Sequence, residues 1–246
     1  MDLQTLILLL IGIYLIYRLI KLYPVLIFNR AAKAITAKDY EKGIKLLEKA
    51  VDKGVDPMRE IRAAYAELKF GDVKKAKKKF NMVLLNSKIK PNFKNEAKSM
   101  MAIALLNDGE KEEALEVMGN LYKIGYKNTN FFASYGYIAA LSGDSEFYNK
   151  VNDEAYDYNS DNLVICDNYA FCRYLDGEYE KAAEVYESFI EKEPNFPEAY
   201  YNYAVTLMKL GDNEKAKEML EQALTKEFFG ITTIKREQVE NLLNQI

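Results

Sequence analysis

Apolar and polar residues follow helical spacing over nearly the whole chain, and the pattern returns with a fixed period. Residues 174–186 read YLDGEYEKAAEVY and residues 208–220 read MKLGDNEKAKEML, two windows 34 residues apart. Each sets a Gly, then E-K-A, then an apolar residue four positions past the Ala. Gly109, Gly143, Gly177 and Gly211 share the interval of 34, as do Ala102, Gly136, Ala170 and Ala204, seven residues before each of them. Gly71 with Ala64, and Lys38 with Ala31, continue the phase upstream less strictly. A second small column follows the turn by five residues, at Gly43, Ala76, Ala114, Ala182 and Ala216, with Tyr148 standing where Ala is expected. Self-similarity at a fixed period marks a repeat architecture. Two antiparallel helices on a short turn approach closely only where their facing side chains are small. Larger residues such as Tyr169, Tyr186 and Phe189 then fill the flanks, and the Gly closes the first helix in left-handed backbone. Gly177 and Gly211 are therefore read as turn residues, not as a loop cradling a ligand.

This register predicts helical pairs over 24–56, 57–90, 95–128, 129–162, 163–196 and 197–230. The stretch from Ser87 to Phe93 adds four residues between the second and third units and is expected to mark a bend. Tyr148 makes the fourth unit the least regular. The tail ITTIKREQVENLLNQI, residues 231–246, is expected to form a capping helix with Thr233 as its N-cap. A period of 34 with two small columns resembles the tetratricopeptide repeat (TPR), a helix-turn-helix unit. The resemblance covers about residues 24 to 230 and implies an all-α, right-handed superhelical solenoid.

Composition agrees with helix: only 12 Gly and 5 Pro occur in 246 residues, and 49% of the chain is hydrophobic. The two cysteines, Cys166 and Cys172, lie about 240° apart on a helix and cannot pair within it. They read as small buried residues. With no histidine, no P-loop, no GxGxxG and no CxxC pair, no metal, cofactor or catalytic site is expected.

The amino terminus departs from the repeat. Residues 3–17, LQTLILLLIGIYLIY, carry no charge, and apolar character resumes around Arg18 and Lys21 as far as Phe28. Residues 1–23 are expected to be a single membrane anchor, with Arg18 and Lys21 snorkelling, Tyr14, Tyr17 and Tyr23 near the headgroups, and Pro24 ending the span. Charges follow the apolar run and only Asp2 precedes it, which argues against a cleaved signal and places the repeats in the cytosol. The competing reading is a buried or partner-seeking helix. Residues 1–98 hold 21 Lys+Arg against 10 Asp+Glu, leaving 13 against 27 for residues 99–246. A basic half beside an apolar terminus fits a membrane surface.

In TPR proteins, the second, fifth, ninth, twelfth and thirteenth positions of a unit commonly meet a bound peptide on the concave face. Carried over by this resemblance, the partner-binding residues are Tyr65, Ile103, Tyr137, Phe171, Tyr174, Tyr201, Val205 and Met208. The fifth position also supplies Ile61 and Asp167. Glu96, Asn107, Glu198 and Lys209 rim the stripe. An apolar peptide or amphipathic helix of a partner protein would fit it. The paired Lys and Asn with which chaperone-binding members grip a terminal carboxylate are missing. On the predicted helix around residues 70–80, Lys74, Lys75, Lys77, Lys78 and Lys79 mostly point outwards. They are either a solvated face or a contact for anionic lipid, and without interleaved aromatics they fit nucleic acid less well. The reading is a non-enzymatic, membrane-anchored cytosolic scaffold, with a chaperone-like holder of nascent or exported segments as the alternative.

Overall fold

Short polar side chains start most of the helices, and left-handed glycines lie in most of the turns between paired helices. The computed structural model describes residues 2–87 and 89–246, which form thirteen helices. These are α1 (Leu3–Thr36), α2 (Tyr40–Asp52), α3 (Pro57–Phe70), α4 (Val73–Leu85), α5 (Pro91–Asn107), α6 (Lys111–Lys123) and α7 (Thr129–Ala140). They continue with α8 (Ser145–Asn159), α9 (Leu163–Leu175), α10 (Tyr179–Ile190), α11 (Pro197–Leu210), α12 (Asn213–Thr225) and α13 (Arg236–Leu243). Asp39, Asp56, Asp72, Asn128, Asp144, Asn162 and Asp212 each accept the N–H three residues on. Glu110 and Glu178 stand at the same point before α6 and α10 and make no such cap bond. The column of turn glycines is left-handed at Gly109, Gly143, Gly177 and Gly211, and Lys38, in the same phase, adopts φ 61°. Gly71 differs, with φ −128°. Its small size serves close approach, since a Cβ there would collide with the Glu67 carboxylate.

The chain divides into two compact units, residues 1–97 and 98–246, with the division inside α5. In the first, Ala31, Leu47, Ala63 and Ala66 form one core. In the second, one core joins α5 through α9 around Phe131, Phe132 and Tyr135. Another joins α9 through α13 around Tyr186, Tyr203 and Val239. Ala31, Ala64, Ala102, Ala170 and Ala204 of the first small column are fully buried, as are Ala76, Ala114, Ala182 and Ala216 of the second.

Tyr148 does not disturb the fourth pair: α7 and α8 are regular helices, and Tyr148 is buried with its hydroxyl donating to Asp176 Oδ1 at 2.6 Å. The small residue needed at this crossing is Gly136, against which Asn152 packs, donating to the Gly136 carbonyl at 3.1 Å. A Cβ on Gly136 would strike the Asn152 side chain and lie 2.9 Å from Asn168 Nδ2. The end of the inserted stretch, from Pro91, enters α5, which spans 17 residues against 12 to 14 for α3, α7, α9 and α11. Lys88, within that stretch, lies outside the described residues.

Pro24 does not end a helix. It is buried inside α1, which runs unbroken for 34 residues, about 51 Å at 1.5 Å per residue. Proline removes one hydrogen bond and costs about 3 kcal/mol in a helix interior. Downstream of it, Ile27, Ala31 and Ala34 are buried, and Ala31 shares a core with Leu47, Ala63 and Ala66, which offsets that loss. Thr233 is likewise not the N-cap of the last helix. Lys235 takes that place, with its N–H bonded to Gln238 Oε1 at 2.7 Å.

Ala170→Leu and Ala204→Leu should overpack their crossings and cost about 1 to 3 kcal/mol, and Gly136→Ala should also destabilise. Thermal melts of the three variants check this. A parent-like melting temperature in all three would show that these crossings are not closely packed.

Candidate functional site

In residues 98–246 the first helices of successive pairs carry half-buried apolar and aromatic residues at the positions the repeat resemblance assigned to a partner. Ile103 comes from α5, Tyr137 from α7, Phe171 and Tyr174 from α9, and Tyr201, Val205 and Met208 from α11. The ring centroids of Tyr137 and Phe171 are 6.2 Å apart, and those of Phe171 and Tyr174 are 6.3 Å apart and nearly parallel. Burial raises the phenol pKa of Tyr137 and of Tyr201. Other rings of the same helices have the opposite fate: Tyr135 and Tyr203 are fully buried. Tyr65 is half-buried on α3 in the other unit, where burial also raises its phenol.

The two further fifth-position residues are not at the surface. Ile61 is fully buried, and Asp167 is only 5% exposed. Asp167 Oδ1 accepts from the Tyr186 hydroxyl at 3.2 Å and from Asn202 Nδ2 at 3.1 Å. Burial pushes the Asp167 carboxyl up to about 7, with nearby Glu198 adding to the rise and the two hydrogen bonds opposing it. Burial also raises Glu198, against the pull of its bonds from Thr233.

The rim meets the protein's own chain. Asn107 Nδ2 donates to the Gly230 carbonyl at 2.9 Å. Glu198 Oε1 accepts from the Thr233 N–H at 2.7 Å and from its hydroxyl at 3.2 Å. Residues 230–233 were not legible as part of a site because they lie at and beyond the end of the last 34-residue unit. Two of the four rim residues, Asn107 and Glu198, therefore already hold peptide groups.

The lysine face of α4 is divided. Lys74, Lys75 and Lys78 are exposed, and so are Met82 and Leu85 on the same helix. Lys77 is half-buried. Lys79 departs from the outward-facing set. It turns inward to pair with the buried Glu67, and with Glu48 at 3.0 Å, which offsets the cost of burying the Glu67 carboxylate.

Asp167 has a consequence for stability. Its folded-state pKa lies above the unfolded value, so the folded protein holds the proton more tightly. The resulting stability is fully present below about pH 4 and is lost as pH rises towards 7, by about 1.4 kcal/mol per unit of difference. Asp167→Asn keeps an acceptor for Tyr186 and Asn202 without a charge. The variant should lose less melting temperature than the parent between pH 5 and pH 8. Parallel pH profiles would exclude Asp167 as the source.

A tetratricopeptide repeat family model matches residues 173–228. No curated protein matches the chain. Among solved structures, it is similar to a tetratricopeptide repeat protein from Parabacteroides merdae ATCC 43184, at 13% identity over 91% of this chain and 84% of that one, with a TM-score of 0.70. It is also similar to TTC0263, a thermophilic TPR protein of Thermus thermophilus, at 17% identity, 77% and 98% coverage and a TM-score of 0.61. A third is pilF of Pseudomonas aeruginosa, at 12% identity, 81% and 89% coverage and a TM-score of 0.58. At these identities the likeness speaks to architecture alone, and with the helix pairs described above it establishes an all-α solenoid of the tetratricopeptide-repeat type.

Proposed function

We propose that the protein is a non-enzymatic, membrane-attached scaffold that binds a partner protein through the inner face of residues 98–246. Each helix pair is taken as one repeat unit. The observation that supports binding most directly is the half-exposed row of Tyr137, Phe171 and Tyr174, whose successive ring centroids lie within 6.3 Å of one another while Tyr135 of α7 and Tyr203 of α11 are fully buried. A packed face hides its aromatics, whereas a recognition face leaves large rigid side chains available as anchors. Tyr201, Val205 and Met208 extend the row on α11.

Attachment rests on α1. From Leu3 to Tyr23 nearly every side chain is exposed, and these residues would cover about 31 Å as helix, close to a hydrocarbon core of about 30 Å. No break separates this segment from the first packed helix, so an inserted α1 would hold the repeats stiffly at the surface. The basic collar that follows favours a cytosolic side for the repeats. Lys74, Lys75 and Lys78, with Met82 and Leu85 beyond them on α4, have the mixed basic and apolar character that suits an anionic lipid surface.

Phe171→Ala and Tyr201→Ala should lower the melting temperature only slightly yet abolish capture of whatever partner co-purifies with the parent. Tyr186→Ala, at a fully buried ring, should instead lose roughly 3 to 5 kcal/mol of stability. The groove reading fails if Phe171→Ala unfolds the repeats as badly as Tyr186→Ala, or if both groove variants keep the partner.

A fragment beginning at Tyr23 should leave the membrane fraction but still sediment with vesicles containing anionic lipid. The triple change Lys74→Gln, Lys75→Gln and Lys78→Gln should abolish that sedimentation. Protease added to intact cells should leave the full-length repeats uncut. Digestion from outside would reverse the orientation, and sedimentation unchanged by the triple change would return the lysines to a solvated face.

A further inference from the structure

One short stretch of chain, where the last repeat unit ends, lies across the face just described. Between α12 and α13 the chain makes a turn in which the Thr232 N–H donates to the Phe229 carbonyl at 2.9 Å. The Phe229 N–H donates to Thr232 Oγ1, also at 2.9 Å. This turn presents the Gly230 carbonyl to Asn107 on α5 and the Thr233 N–H and hydroxyl to Glu198 on α11. Tyr137 on α7 is within hydrogen-bonding reach of Thr233 as well. Three residues of chain span at most about 11 Å. The face is therefore curved tightly enough for helices of the third and sixth pairs to hold the same turn.

The bonds are of a kind that another peptide can replace. Asn107 and Glu198 read only a backbone carbonyl, a backbone N–H and a hydroxyl, groups that any peptide with Ser or Thr supplies. No charged residue occurs from Phe228 to Ile234, so the segment meets Glu198 without like-charge repulsion. Its ends are fixed independently of the face. Arg236 donates to the Leu224 and Lys226 carbonyls at 3.0 and 3.3 Å and covers the Phe228 ring at 4.6 Å, and Val239 of α13 is fully buried. The middle of the segment can lift while both ends stay in place.

We propose that residues 228–234 form an autoinhibitory strap, a tethered occupant of the inner face that a partner must displace. This rests on the reading of that face as the binding site. The displacing segment is an uncharged peptide that offers a free carbonyl and, three residues on, a free N–H beside a hydroxyl, with apolar neighbours. Because a partner binds only the fraction of molecules with the strap lifted, its apparent affinity falls by that fraction.

The probe is a fluorescent peptide with the sequence of residues 226–235, titrated against the full chain in detergent. Two variants release the strap. Thr233→Pro removes the N–H and hydroxyl that Glu198 holds. The pair Thr232→Gly and Thr233→Gly keeps the length and removes the turn's side-chain bond. Both released forms should bind the peptide at least fivefold more tightly than the parent, and Tyr137→Ala in either should reverse the gain. A parent-like melt for at least one released form confirms that binding is measured on folded protein. Equal peptide binding by parent and released forms, still weakened by Tyr137→Ala, overturns the strap and leaves the groove reading standing. Binding that ignores Tyr137→Ala places the peptide elsewhere and overturns both, and failure of a released form with a parent-like melt to bind the peptide overturns the strap.

Discussion

The close crossing of two helices within each pair is the constraint on which the rest of the structure depends. A single amphipathic helix cannot bury its apolar face alone, and a pair buries it well only when the axes come near enough for side chains of one to fill the gaps of the other. Alanine in both columns permits this in most pairs, where the buried columns are fully shielded from solvent. The fourth pair reaches the same closeness by a different distribution of volume. Gly136 gives up even its methyl group, and Asn152 fills the space while donating to the glycine carbonyl. Tyr148 can then be large because the crossing no longer depends on it.

Because the crossings consume the packed sides of the first helices, the remaining sides of those helices are left only partly covered. Tyr135 and Tyr203 go into the core, while Tyr137, Phe171 and Tyr174 are left half-exposed in a row. The same division sets the chemistry at Asp167. Its carboxyl lies buried in α9, which raises its pKa to about 7, and it relies on Tyr186 and Asn202 for hydrogen bonds. Residues 230–233 bridge Asn107 of α5 and Glu198 of α11.

In the amino-terminal unit a buried carboxylate meets the opposite solution. Glu67 is as deep as Asp167, but Lys79 and the Asp72 N–H at 3.1 Å compensate it, and the glycine at position 71 leaves room for the arrangement. One lysine of a basic run is thereby withdrawn from the surface. Continuity of α1 through Pro24 is decided in this unit as well, because the helix on the far side of the proline is locked by its own burial.

The period of 34 residues, the small columns, the turn glycines and the all-α class could be read from the sequence, because each follows from contacts between residues close in the chain. A helix end needs a left-handed residue at a fixed offset, and a crossing needs a small residue seven positions before it and another five after it. The long apolar segment at the amino terminus was equally plain. Other features were set by neighbours far along the chain. Lys79 reads as one more outward lysine until Glu67 and Glu48 are placed beside it. Pro24 reads as a helix end until the burial beyond it is known. Thr233 reads as a helix cap, but Glu198, 35 residues earlier, claims its N–H and hydroxyl. Asn107 and Gly230 are 123 residues apart, and nothing local relates them. Their meeting depends on small rotations added over successive pairs, which no single repeat encodes and only the tertiary structure decides.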